Sequence, residues 1–143
     1  MVKLIFCLHR RSDLSHQQFL DHWYLRHAPL VRQHAKAIGL LRYVQSHGLA
    51  HPIDELLRRS RGGPAGYDGV AELYYESAEA LHQAMYAAAA RAAGQVLLAD
   101  ERQFIDLARS PLFVCEERLI HADAAVDVER LAGDVGRIRP EQE

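Results

Sequence analysis

The sequence predicts an α+β fold of two β-α-β halves laid side by side, the ferredoxin-like arrangement βαββαβ with an antiparallel sheet of order 4-1-3-2. Three observations lead there. Apolar or alternating runs at 2–9, 40–49, 67–76 and 111–120 read as four strands. Stretches with apolar residues three and four apart lie between the first and second strands and between the third and fourth. A long connection containing Gly62-Gly63-Pro64 separates the two halves. With 143 residues the chain suits one domain that can bury a core without disulfides. The expected division is a folded unit over 1–120 and a tail or short docked helix over 121–143.

Each element has its own signal. Val2 to His9 is apolar except for Lys3, as in a strand covered on both faces. Ser15 with Gln18 three residues later fits a capping box, so a helix starts there. Phe19, Trp23, His27, Leu30, Val31 and Ala35 form its apolar stripe, and Gly39 is its stop. Pro29 lies inside and predicts a kink, because it cannot donate to the preceding turn. In the second strand Tyr43, Gln45 and His47 share one face. Pro52 heads a short helix with Asp54-Glu55 first and Arg58-Arg59 last, an order that suits the helix dipole. After the third strand Ser77 caps a helix expected to end near Gly94, followed by a second helix to about Ala108. Pro111 to Ile120 is the last strand.

Composition removes several classes of function. Seventeen basic residues against nineteen acidic give a net charge of −2, with no strongly basic face for nucleic acid. No apolar run approaches the ~20 residues of a membrane helix. The apolar run Leu4 to Leu8 is too short for a signal peptide, so a cytoplasmic protein is expected. Arg far outnumbers Lys, which suggests a GC-rich bacterial source. Cys7 and Cys115 form no CxxC pair and read as small buried hydrophobes. GxGxxG, Walker and GxSxG motifs are absent; of the nine histidines, the first five have no helical ligand spacing, and His47 and His51, four apart, lack an obvious third ligand. No metal and no cofactor are expected. His16, His22, His82 and His121 are expected in solvent.

With both helices on one sheet face, the apolar first strand leaves the other face uncovered. A second copy packing sheet to sheet is the simplest cover, so a homodimer is expected. Several motifs then occur in order: Phe19-x3-Trp23-x3-His27-Ala28-Pro29-Leu30-Val31, Tyr43-Val44-Gln45, Tyr67-Asp68-Gly69-Val70-Ala71-Glu72-Leu73, and Asp100-Glu101-x2-Phe104-Ile105-Asp106. Together they resemble the EthD family over roughly residues 1–120. That resemblance implies a dimeric α/β barrel with a pocket between sheet and helices, and makes the position of His27 a hallmark. Relatives in the wider superfamily include cofactor-free isomerases, dehydratases, cyclases and monooxygenases, so the resemblance implies no single reaction.

His27 lies on the buried stripe, where it serves either as a core histidine bonded to a freed carbonyl or as a general base lining a pocket. In a 4-1-3-2 sheet His9, His47 and Asp68 end at one edge, with Tyr43 further in on the face of His47. His27, Tyr43, His47 and Asp68 are the candidate catalytic set, Asp68 being the carboxylate expected near His27. Trp23, His9 and Glu72 are the candidate substrate-binding residues. Tyr43 reads equally as a core aromatic, Asp68 as a turn carboxylate paired with Arg, and Glu72 as a bridge to Arg42. Three functions follow. The first is cofactor-independent proton transfer (isomerisation, cyclisation or elimination) on a small cyclic or aromatic substrate. The second is an oxidative role, as a cofactor-free monooxygenase or an oxygenase accessory. The third is a non-catalytic binding dimer, which a closed interior between sheet and helices would favour.

Overall fold

The strand-forming runs fold into β1 (Val2–Leu8), β2 (Arg42–His47), β3 (Gly69–Tyr75) and β4 (Leu112–Glu116). The computed structural model describes residues 1–120, and the expectation for 121–143 lies outside the described residues. The sheet order is β2-β3-β1-β4 with every neighbouring pair antiparallel, the 4-1-3-2 order read from the other edge. The barrel that the family resemblance implies is corrected by this topology. The sheet is open: β2 and β4 are opposite edges, and neither pairs with a further strand among the described residues. Four strands of five to seven residues do not curl far enough to meet, since closure is typical of about eight.

Ser15 opens the helical layer as its spacing predicts. Its hydroxyl accepts from the Gln18 amide, and the Gln18 side chain accepts from the Ser15 amide. Helix α1 (His16–Asp21) then passes into a π-helical segment (His22–His27) before α2 (Ala28–His34). The defect predicted at Pro29 is thus absorbed one turn earlier. The Ala28 amide reaches back five residues to the Trp23 carbonyl, and Pro29 sits in the first turn of α2, where a missing N–H costs little. Gly39 ends the layer in the left-handed region, at φ 72°.

Helix α3 (Ile53–Arg61) follows Pro52 as expected. The second helical layer differs from expectation. It divides early, into α4 (Ala78–Ala84) and α5 (Ala88–Phe104), with tight turns at Tyr86 and Ala87 between them. Gly94 lies inside α5 instead of ending it. A glycine stops a helix only when the chain turns left-handed there, and Gly94 does not.

Register and alternation place Leu4, Phe6, Leu8, Tyr43, Ala71 and Leu73 on the helix-covered face. Lys3, Ile5, Cys7, Val44, Val70, Glu72, Tyr74 and Phe113 lie on the opposite face. The core joins Leu8 and Ala71 of the sheet side to Phe19, Trp23, Phe104 and Ile105 of the helical side. Among the described residues no helix is long and apolar enough to cross a membrane.

Candidate active site

A cavity of about 280 Å³ lies between the sheet and the helical layer. Its walls are mostly apolar: Leu4, Phe6 and Leu8 from β1, Ala71 and Leu73 from β3, Trp23 and Val31 from the first helical layer, Leu97 and Leu98 from α5. Four polar side chains interrupt them: His27, Tyr43, Glu101 and Ser110. An apolar cleft with a few convergent polar groups is the usual form of a small-molecule site.

The stripe spacing carries His27 inward, leaving it 4 % exposed. Its Nδ1–H donates to Asp100 Oδ2 at 2.7 Å. The other Asp100 oxygen accepts from His22 Nε2–H at 3.1 Å. A carboxylate only accepts, so the nitrogen facing it carries the proton. That fixes His27 in the tautomer whose Nε2 bears a lone pair, and Nε2 has no protein partner among the described residues. Burial pushes the His27 pKa below the ordinary histidine value, and the Asp100 hydrogen bond opposes this in part. The ring is therefore neutral at neutral pH, as a base must be.

Tyr43 faces the same space. Its hydroxyl oxygen accepts from Trp23 Nε1–H at 2.9 Å and from Gln45 Nε2–H at 3.1 Å. Both lone pairs are engaged, so its own proton is the group left to donate. Burial pushes the Tyr43 pKa up to about 12, which keeps that proton in place. Gln45 also donates to the Trp23 carbonyl and accepts from His47 Nε2–H at 2.8 Å. His47 stacks on Trp23 with ring centroids 4.8 Å apart. It lies behind Tyr43, in a separate surface depression shared with Tyr24 and Gln45.

The other expected residues sit elsewhere. Asp68 reaches the sheet edge but not His27: it accepts from the Arg10 amide at 2.8 Å and from His16 Nδ1–H at 2.8 Å. His9 packs against Tyr67 on that same edge, with tilted rings whose centroids are 4.6 Å apart. Glu72 is on the uncovered sheet face, paired with Lys3 at 2.8 Å and not with Arg42. Of the expected set, the cavity brings together His27, Tyr43 and Trp23. His16 and His22, expected in solvent, both have carboxylate partners.

Asp100 and Glu101 were not expected as site residues. Glu101 lines the cavity with no hydrogen-bond partner among the described residues. Burial, and then the charge of Asp100, push its carboxyl up to about 7. The signal was present in the sequence, because Glu101 falls on the stripe of Leu97, Phe104 and Ile105, a carboxylate at a core position.

An EthD domain family model matches residues 11–108 of the chain. An EthD family protein from Bacillus halodurans C-125 of solved structure is 29% identical, covers 82% of this chain and 99% of its own, and superposes with a TM-score of 0.56. An EthD-like protein from Ralstonia eutropha JMP134 is 19% identical, covers 85% and 96% respectively, and gives a TM-score of 0.55. A dimeric ferredoxin-like protein of unknown function from Thermobifida fusca is 13% identical, with coverage of 81% and 90% and a TM-score of 0.51. No curated protein matches the chain.

Proposed function

The chain belongs to the EthD family, and we propose that it is an enzyme that moves a proton on a small cyclic or aromatic substrate, with His27 as the general base. The observation that carries this reading is the Asp100–His27 pair, with the unpartnered Nε2 of His27 at a substrate-sized cavity. Nε2 takes a proton from a carbon next to a carbonyl. The Tyr43 hydroxyl donates to the carbonyl oxygen, where the negative charge collects. The enolate so formed is reprotonated elsewhere, expels a leaving group or attacks a second carbon: isomerisation, elimination or cyclisation. Asp100 holds the imidazole in its tautomer and takes the place beside His27 that the sequence suggested for Asp68. Trp23 and Gln45 orient Tyr43, and His47 orients Gln45.

A second copy is part of the reading. The sheet face opposite the cavity carries Ile5, Val44, Val70 and Phe113, with no covering layer among the described residues. We assign that face to a homodimer contact.

Acetophenone, with exchangeable methyl protons beside its carbonyl, is a suitable first probe. In heavy water the protein should speed loss of its methyl proton signal. His27→Asn should lower that rate by about 10²–10⁴-fold while still binding the probe. Acetophenone that binds without faster exchange, or a variant as fast as the parent, would overturn the assignment.

A further inference from the structure

One polar group of the cavity is idle in the proton transfer described above. Glu101 projects from α5 into the same space as His27 and Tyr43, yet no donor pairs with it among the described residues. Among the described residues no lysine or arginine lines the cavity. Asp100, the next residue, already carries the charge that the two histidines partner. A second carboxylate there, in apolar surroundings and without a cation, favours the protonated form.

We propose that Glu101 acts as a neutral carboxylic acid that donates a hydrogen bond to the ligand, so that the cavity selects uncharged carbonyl or phenolic compounds and rejects carboxylates and phosphates. This rests on the reading of the cavity as the substrate site. The cavity then offers two donors, the Glu101 and Tyr43 hydroxyls, with His27 Nε2 as the basic acceptor beside the weaker Glu101 carbonyl oxygen. A ketone satisfies the donors and a phenol satisfies the acceptor. An anionic ligand finds no positive partner among the described residues, and in a low-dielectric site that mismatch is costly.

Acetophenone and benzoate share size and shape and differ in charge, and ligand-observed NMR titration compares them at low affinity. The parent should bind acetophenone more tightly than benzoate by about tenfold or more at about pH 6.5. Its affinity for acetophenone should then fall as the pH is raised to about 9, because Glu101 ionises near 7 and ceases to donate. The other titratable groups facing this space do not account for such a fall. His27, from the π-helical segment, is already neutral over that range, and Tyr43, from β2, ionises only at about 12. Asp100, on the same helix, does not line the cavity and accepts from both histidines. Glu101→Gln keeps a donor that cannot ionise, so its acetophenone affinity should stay level with pH. Equal affinity for the two probes, no acetophenone binding, or the same pH profile in parent and variant would overturn the proposal. Selective binding without proton exchange would leave it standing and remove the proton-transfer reading instead.

Discussion

Asp100 uses its two oxygens on two histidines, and this division sets the state of His27. An asparagine there has one acceptor and one N–H₂ donor, so it cannot accept from both rings. If the N–H₂ faces His27, the ring must present a lone pair at Nδ1 and put its proton on Nε2. The base is then lost. Asp100→Asn should therefore lower acetophenone exchange by about 10²–10⁴-fold. The pH profile gives a second readout. Burial lowers the His27 pKa and Asp100 raises it, so removing the charge leaves burial unopposed and the pKa falls further. His27 works in its neutral form, which exists above its pKa. The acid limb of the exchange rate should thus move to lower pH in the variant, and an upward move would contradict the role given to Asp100. Stability follows the same sign. A histidine whose folded pKa is depressed contributes stability above its unfolded value of about 6.5, and loses it as the pH falls through the folded value.

The helical layer places these residues by local rules, some written in the sequence and some not. Ser15 and Gln18 make both bonds of the capping box, and Ser77 accepts from the Ala80 amide as its position suggests. Such signals are legible because cap and partner are three residues apart. Trp23, His27 and Tyr43 were legible as well, since periodicity alone puts them on the faces that meet. Pro29 announced a defect, but not that a π-helical segment upstream would absorb it, because that choice depends on what Trp23 packs against. Asp100 is 73 residues from His27 in the chain, and no spacing rule links them. Asp68 was favoured in its place on strand-edge geometry, which gave the edge correctly and the partner incorrectly. Gly69 shows how closely the π-helical segment meets the sheet. A Cβ there would lie 2.4 Å from the Trp23 ring and 2.9 Å from the Ser46 carbonyl oxygen. Gly69→Ala should displace Trp23 and cost about 1–3 kcal/mol of stability. Trp23 is the only tryptophan, so its emission reports the displacement directly. Urea unfolding with unchanged midpoint and unchanged emission would show that the helical layer yields at no cost.

At the scale of the whole molecule, the two sheet faces are unequal. One is covered by α5 and by the first helical layer and holds the cavity. The other has no cover from the described residues, although Ile5, Val44, Val70 and Phe113 lie on it across all four strands, with Phe113 51% exposed. Glu72 lies between Ile5 and Val44 in register, and Lys3 partners its charge there while also reaching Glu117, so the apolar residues surround one ion-paired carboxylate. Burying large apolar side chains contributes roughly 1.5–3 kcal/mol each, so a face with several of them is a strong driver of association. Packing a second copy face to face joins two open sheets and removes both apolar patches at once. Sedimentation at micromolar concentration should give a species of twice 16.2 kDa. Phe113→Lys puts a charge into that contact without touching the cavity, whose walls come from the opposite face. It should yield a monomer whose Trp23 emission matches that of the parent. A parent protein that sediments as a stable single chain would end the dimer assignment, as would a Phe113→Lys variant that stays dimeric through an unaltered face.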